Sequence, residues 1–330
     1  MKIPRYFIVD SHQDIAWHVF KYHRPFAGVS TGAEVMVTLD ALLRGGVGLS
    51  FATYFVDREA PHEARWQRLQ REAEFYQSLP QEYAQAVQVR NLSDLARLES
   101  AFSSGEKIWG FCLLMEGAEL IRSPDELDHW YERGLRLLSL TWNDDNQWAA
   151  GARQRGGLKP AGKRLLARMA ELGFILDVSH LNRQSFFEVM EVWDGPVVAT
   201  HSNADAICPL FRNLTDKQLA LLSEREAVVG VLLGNALLQP GWQDGDPPTP
   251  LTVVMAHIEH LIQQLGEGGV GIGSDFDGGL TPANTPEGLD SVADLPRIGE
   301  AMSERGFSDE LVSKVLGGNW LRFLRHHLPQ

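Results

Sequence analysis

Cysteine is scarce in this chain, and its scarcity narrows the possible chemistry. Among 330 residues only Cys112 and Cys208 carry a thiol, and they lie far apart in no CxxC pattern. Neither a disulfide framework nor a thiolate zinc site is therefore indicated. If the protein binds a metal ion, nitrogen and oxygen atoms must provide the ligands.

Long apolar segments and an excess of basic charge are also missing. No run approaches the length of a membrane span, and the first apolar run, Tyr6 to Val9, starts too close to Met1 for a signal peptide. We therefore expect a cytoplasmic protein without a membrane partner. The 30 basic and 43 acidic side chains give a net charge of −13, which repels a nucleic-acid backbone, so nucleic acid is not an expected partner.

Short apolar or β-branched runs alternate with longer amphipathic stretches along the whole sequence. This alternation is typical of βα units around a parallel sheet. Eight such units favour one (β/α)8 TIM barrel domain over residues 1–330 rather than an open doubly wound sheet. The predicted strands are Tyr6–Val9, Val47–Phe51, Ile108–Leu114, Leu137–Leu140, Ile175–Val178, Val197–Ala199, Val228–Leu233 and Val270–Ile272.

The segments between the strands carry signals for helix starts and loops. Ser123 with Glu126, and Thr215 with Gln218, have the spacing of capping boxes. Residues 239–250 are rich in Pro and Gly and follow the seventh predicted strand, where a barrel places an active-site loop. The glycine-rich stretch before the eighth strand lacks the lysine of a phosphate-binding loop, so it predicts a tight turn instead.

Polar side chains that can bind a metal follow five of the eight predicted strands. In "VDSHQDIAW", the histidine and the second aspartate are two positions apart, and both side chains of such a pair can reach one point. Since barrel active sites lie at the carboxyl ends of the strands, we expect these side chains to converge. They are His12 and Asp14 after the first strand, Glu116 after the third, His180 after the fifth, His201 after the sixth, and Asp275 with Asp277 after the eighth.

A single histidine or glutamate after a strand is more often a helix cap or an ordinary loop residue. Three histidines and several carboxylates at one barrel mouth are different, because this donor set suits zinc or another divalent ion. Five ligands suffice for two ions that share a carboxylate. Two such ions polarise a bridging water and lower its pKa to about 7, which gives a hydroxide nucleophile near neutral pH.

Five motifs together make the resemblance specific. The sequence resembles the membrane (renal) dipeptidase family of zinc metallopeptidases, part of the amidohydrolase superfamily, in DSHQD, MEGAE, DVSH, THSNA and GSDFDG. The resemblance implies two Zn²⁺ ions, one bound by His12 and Asp14 and the other by His180 and His201, with Glu116 bridging them. It further implies that Arg212, eleven residues after His201, holds the substrate carboxylate and that Asp275 is the acid/base. It also implies tolerance of a carboxyl-terminal D-residue and a homodimer.

Two positions depart from the family pattern. Trp142 occupies the place of a histidine that is thought to contact the reacting oxygen of the substrate in the mammalian enzymes, and Leu237 falls where a tyrosine grips the substrate carboxylate. Tryptophan has one donor and no proton-accepting nitrogen. Trp142 is therefore either a changed substrate-binding residue or a packing residue, and the substrate preference differs accordingly.

The expected function is zinc-dependent hydrolysis of dipeptides by a metal-bridging hydroxide, with Asp275 as acid/base. The alternatives are another amidohydrolase reaction, such as deacylation of N-acyl amino acids, or a non-catalytic metal-binding barrel. Asp277 is the competitor for the role of Asp275. The remaining histidine pairs, His257 with His260 and His326 with His327, are expected on solvated helix faces.

Overall fold

The structure, a computed structural model, describes residues 6–28, 35–58 and 60–330. Its strands form where short runs of Val, Ile and Leu are bounded by glycine or polar residues. The described strands are β1 (Ile8–Gln13), β2 (Val47–Tyr54), β3 (Ala86–Gln88), β4 (Trp109–Met115), β5 (Leu135–Ser139), β6 (Ile175–Asp177), β7 (Val197–Val198), β8 (Val229–Val231) and β9 (Val270–Ile272).

Eight of these strands form a parallel barrel in the order β7-β6-β5-β4-β2-β1-β9-β8. The ring closes through a parallel bridge from Ala199, directly after β7, to Val229 of β8. The predicted (β/α)8 barrel is thus confirmed, and each predicted strand overlaps one barrel strand. The sequence reasoning missed β3, whose only partner among the described strands is β4. Its three residues are too few for a recognisable periodicity.

The helices follow the strands around the outside of the barrel. Within the described residues none combines the length and apolarity that crossing a membrane would require. The helices are α1 (Ile15–Lys21), α2 (Leu39–Gly45), α3 (His62–Glu82), α4 (Leu92–Ser103), α5 (Glu126–Glu132), α6 (Pro160–Leu172), α7 (Arg183–Met190), α8 (Asp216–Glu224), α9 (Asn235–Leu238), α10 (Leu251–Leu265), α11 (Pro296–Glu304), α12 (Asp309–Ser313) and α13 (Asn319–His327).

One of the two predicted capping boxes forms. Thr215 and Gln218 cap α8 reciprocally, as the spacing predicts. The capping box predicted at Ser123 does not form, because the carboxylate of Glu126 accepts hydrogen bonds from the backbone and side chain of Arg122 instead. Residues 239–250 form a loop between α9 and α10, and the glycine-rich stretch is a turn between α10 and β9, as predicted.

The barrel interior is filled by side chains. Leu49, Phe51 and Leu114 belong to a buried cluster that includes Trp320 of α13, and the rings of Phe51 and Trp320 are 5.1 Å apart. A larger apolar cluster joins the outer faces of the strands to the surrounding helices. The two cysteines, both among the described residues, are buried free thiols. This packing holds the strand ends rigidly, so loops can present polar groups at the mouth.

Candidate metal centre

The mouth of the barrel brings the predicted ligand residues together. Glu116 follows β4 directly, while His180 and His201 lie three residues after β6 and β7, respectively. The sequence predicts that His12 follows the first strand, but β1 extends to Gln13 and contains His12. All four side chains are buried.

A break in the pairing of β1 orients the first two ligands. The register between β1 and β2 shifts between Asp10 and Gln13, as it does at a β-bulge, and such bulges redirect side chains at barrel rims. Asp14 is the N-cap residue directly before α1, and its carboxylate accepts a hydrogen bond from the hydroxyl of Thr53. As a result, Asp14 Oδ2 lies 3.8 Å from Nε2 of His12.

Among the described residues the donor atoms form three overlapping groups. His12, His201 and Asp275 form one of them, and the two others share one carboxylate. His12, Asp14 and Glu116 make one group, and Glu116, His180 and His201 make the other, with all donor atoms of a group within 4.8 Å of one another. The Glu116 Oε1 atom lies 3.4 Å, 3.0 Å and 3.3 Å from Nε2 of His12, His180 and His201. Glu116 therefore stands between two sets of possible ligands.

These residues fit a divalent cation bound by nitrogen and oxygen. Nε2 of His12 is buried and has no hydrogen-bond partner among the described residues. Nε2 of His180 lies 2.9 Å from Nε2 of His201, and two nitrogen lone pairs facing each other at this distance repel unless a cation or a proton lies between them. Two ligands about 2.0 to 2.2 Å from one zinc ion are at most about 4.4 Å apart, which accommodates these separations.

The site concentrates negative charge. Burial lowers the pKa of His12, but the neighbouring carboxylates, Glu116 first, outweigh burial and raise it to about 10. Burial and the charge of Glu116 raise the pKa of Asp14 to about 7. By contrast, burial and the charge of Arg212 lower the pKa of His180 to about 4. The first donor group thus attracts protons, and a cation would replace them there.

Asp275 lies at the rim of the donor groups. Its Oδ1 atom is 3.9 Å from Nε2 of His12, and its side chain is 17% exposed, so it faces both the centre and solvent. Its backbone has a left-handed φ of 64° and donates a hydrogen bond to the carbonyl of His12. A Cβ at Gly278 would lie 2.3 Å from Asp275 Oδ1 and 2.6 Å from Asp14 Oδ2, so only glycine fits there.

Asp277 is committed to other contacts. Its Oδ1 atom accepts hydrogen bonds from the backbone N–H groups of Met36 and Val37, and its Oδ2 atom pairs with Arg24. These bonds hold the carboxylate against residues 36 and 37. Asp277 therefore has less freedom than Asp275 to exchange a proton with a substrate.

Comparison with known proteins identifies the family. A model of the membrane dipeptidase family, peptidase family M19, matches residues 3–328. The chain belongs to this family. Members with solved structures include metallopeptidases, so by family this protein is a metallo-dipeptidase.

Individual relatives span most of the chain. Dipeptidase tcpJ of Claviceps purpurea is 27% identical over 307 residues, 88% of this chain and 68% of that protein. A Klebsiella pneumoniae protein named for its position in the pqqA 5′ region is 39% identical over 210 residues, 61% of this chain and 75% of that protein. A metallopeptidase from Rhodobacter sphaeroides, solved with a phosphinate mimic of the dipeptide L-Ala-D-Ala, is 28% identical with a TM-score of 0.86, covering 98% of this chain and 99% of that one.

In this M19 family member, Arg212 is buried beside the donor groups. Its Nη1 and Nη2 atoms donate to Ser202 Oγ at 3.0 Å and to the carbonyl of His201 at 2.8 Å. Burial lowers the pKa of its guanidinium, and the negative charges of Glu116 and Asp275 offset part of this effect. Two of the five N–H donors of Arg212 thus hold the guanidinium in place, and these two contacts leave three donors uncommitted.

The two positions that depart from the family pattern lie near the mouth. Trp142 is half-buried, with its ring 6.1 Å from that of His180 and 5.3 Å from that of Phe55. Its contact with Phe55 suits a packing residue, whereas its position beside His180 suits a wall of the substrate pocket. Leu237 lies in α9 and is also half-buried.

The prediction for His257 is wrong. This residue is buried between α10 and its neighbours rather than solvated, because its Nδ1 accepts the N–H of Ala204 at 3.1 Å and its Nε2 donates to the carbonyl of Leu238 at 2.9 Å. The pair His326 and His327 is exposed, as predicted.

Several polar residues around the donor groups escaped the sequence reasoning. Asp10 accepts hydrogen bonds from the backbone and hydroxyl of Ser274, beside Asp275. Asn143 Oδ1 lies 2.9 Å from Nδ1 of His180. The hydroxyl of Thr200 contacts Nδ1 of the other two histidines and also contacts Asp177. The sequence does indicate the two aspartates, Asp10 and Asp177, because a carboxylate inside an apolar strand requires buried hydrogen-bond partners.

Proposed function

We propose that this protein hydrolyses the peptide bond of dipeptides with the help of two zinc ions. The observation that carries the proposal is the position of Glu116, whose Oε1 lies 3.0 to 3.4 Å from Nε2 of all three histidines. His12 and Asp14 would hold one ion, His180 and His201 the other, and Glu116 would contact both. Imidazole and carboxylate ligands match the preferences of zinc.

When bound, the two ions supply positive charge that polarises the scissile carbonyl and makes a water molecule acidic enough to react near neutral pH. Asp275 is placed to handle the protons. Burial and the charges of Asp14 and Glu116 raise the pKa of Asp275 well above its ordinary value, and bound cations would act in the opposite direction and keep it ionised. It then accepts the proton of the attacking water and passes it to the leaving amine.

Arg212 would select small substrates with a free carboxylate. Because Ser202 and the carbonyl of His201 fix its guanidinium next to the centre, a carboxylate bound there lies at a set distance from the scissile bond. This arrangement favours dipeptides over longer peptides. The phosphinate mimic of L-Ala-D-Ala in the Rhodobacter sphaeroides relative supports a dipeptide with a D-residue at its carboxyl end as a substrate.

The half-buried Trp142 beside His180 favours a second candidate within the same chemistry, the deacylation of N-acyl amino acids. Such substrates keep the carboxylate for Arg212 but replace the free amino group with an acyl chain. An aromatic wall is compatible with this apolar chain.

One experiment separates these functions. Metal content is measured in the purified protein, and L,L-dipeptides, L,D-dipeptides and N-acyl amino acids are each tested before and after chelation and zinc replacement. Two zinc equivalents with dipeptide turnover that chelation abolishes support the proposal. Turnover of acyl derivatives alone supports the second candidate, and bound zinc without any turnover identifies a non-catalytic barrel.

A further inference from the structure

The hydroxyl of Thr200 contacts two of the histidines in the candidate metal centre, His12 and His201. Its Oγ1 atom lies 2.9 Å from Nδ1 of His201, 3.2 Å from Nδ1 of His12 and 2.7 Å from Oδ2 of Asp177. A fourth neighbour, Ser179 Oγ, is 3.5 Å away and is therefore the weakest competitor. All five residues are buried, so water does not replace these contacts.

The direction of each hydrogen bond follows from Asp177. Its Oδ1 atom accepts the backbone N–H groups of Ser179 at 2.9 Å and Thr200 at 3.0 Å, and its Oδ2 atom faces the threonine hydroxyl. A carboxylate has no proton to give, so the hydroxyl must donate to Oδ2. The single proton of Thr200 is thereby used.

Both histidines must then donate to Thr200. With its proton directed at Asp177, the hydroxyl oxygen offers only lone pairs, and Nδ1 of His12 and Nδ1 of His201 each supply a hydrogen. A neutral imidazole with its proton on Nδ1 has a free lone pair on Nε2, the atom that each ring directs toward Glu116.

We propose that Asp177, acting through Thr200, is a positioning residue that keeps Nδ1 of His12 and of His201 as hydrogen-bond donors and so leaves Nε2 of each ring to bind metal. The inference rests on the proposed two-ion site and deepens it. His12 is a member of the group with Asp14 and Glu116, and His201 is a member of the group with Glu116 and His180, so a single hydroxyl contacts a ligand of each proposed ion position. The remaining ring, His180, depends on Asn143 instead.

Asp177→Asn tests the direction of the relay with almost no change in shape. The two backbone N–H groups at Oδ1 retain the amide oxygen there, so the amide NH₂ must face Thr200 and donate to it. The threonine proton then turns to the nearer ring nitrogen, Nδ1 of His201 at 2.9 Å, and moves the ring proton to Nε2. Loss of the residue that hydrogen-bonds to a metal ligand typically reduces metal affinity by about 10- to 100-fold.

Two readouts follow the change. Nitrogen NMR of histidine-labelled, metal-free protein reports which ring nitrogen of His201 carries the proton, and zinc titration against a chelating competitor reports affinity and stoichiometry. We expect an Nδ1–H tautomer of His201 in the wild type and an Nε2–H tautomer in Asp177→Asn, with zinc binding through His201 weakened by about 10- to 100-fold. His12 can still donate to the threonine oxygen, so binding through His12 should change less.

Matched variants separate the relay from a loss of stability. Thr200→Ser keeps the hydroxyl and should keep the tautomer and the affinity, whereas Thr200→Val removes the acceptor and should weaken both ions. Thr285→Val removes another buried hydroxyl, one that contacts only backbone carbonyls, and should leave zinc binding unchanged.

The relay is refuted if Asp177→Asn is folded, keeps Nδ1–H on His201 and binds zinc as the wild type does. It is also refuted if Thr285→Val weakens zinc binding as much as Thr200→Val. If the wild-type protein binds no zinc, the proposed function fails, while the tautomer of His201 still decides whether the relay exists.

Discussion

Acidification should weaken metal binding at the first donor group in two stages, because two of its ligands hold protons near neutral pH. The surrounding charges raise the pKa of His12 to about 10, and burial with Glu116 raises that of Asp14 to about 7. A metal ion binds the unprotonated ligand, so each proton must leave as the ion arrives. The sign is therefore fixed: affinity falls as the pH falls.

The size of the effect follows from these two values. Between about pH 7 and pH 10 His12 is the ligand of the first donor group that carries a proton, and its protonation lowers the association constant about tenfold for each unit by which the pH falls. Below about pH 7 Asp14 is protonated as well, and the fall steepens to about a hundredfold for each unit. His180 adds nothing in this range, because burial and the charge of Arg212 lower its pKa to about 4.

Zinc titration against a competing chelator across this pH range measures the slope. Calorimetry in buffers of different ionisation enthalpy counts the protons released, and this count should rise by about one below pH 7, where Asp14 is protonated in the metal-free protein. In Asp14→Asn the second proton is absent, so the steeper part should disappear although the variant binds zinc more weakly. A zinc affinity independent of pH, or the same slope in Asp14→Asn, would refute the assignment.

Three further changes test individual residues. Asp275→Asn should keep both ions but lower kcat by about 10²- to 10⁴-fold, because a proton carrier is lost; full activity in steady-state assays would contradict this. Arg212→Lys should lower kcat/KM by about 10- to 100-fold, mainly through KM, since the two-pronged contact is lost; an unchanged KM would exclude it from substrate binding. Burial lowers the pKa of His257, so below about pH 6.5 the unfolded chain binds a proton at this residue more readily than the folded protein does. The free energy of unfolding therefore decreases as the pH falls below this value. Urea unfolding should show a smaller acid sensitivity in His257→Asn, and equal sensitivity would exclude this linkage.

The barrel could be predicted from the sequence because its strands are short buried runs separated by amphipathic helices. The periodicity located every barrel strand, yet it could not show that β1 continues through His12. That extension depends on a bulge opposite β2, and the bulge is a property of strand pairing rather than of local sequence. For the same reason β3, with three residues and one partner, carried no signal of its own.

The convergence of the candidate ligands could be predicted because parallel strands all present their carboxyl ends at one rim. The groups behind the ligands could not be predicted in the same way. Thr200 and Asn143 become significant only when the rings they contact are placed, since each stands in a loop among other polar residues. His257 shows the reverse error, because its helical spacing suggested solvent while the backbone of Ala204 and Leu238 surrounds it.

The central claim is that two ions share Glu116 at the mouth of the barrel. The most direct test is a crystal structure of the zinc-loaded protein with anomalous diffraction data collected at the zinc edge. The account predicts two peaks, one beside His12 and Asp14 and one beside His180 and His201, both within coordination distance of Glu116. A single peak, or zinc bound away from Glu116, would contradict it.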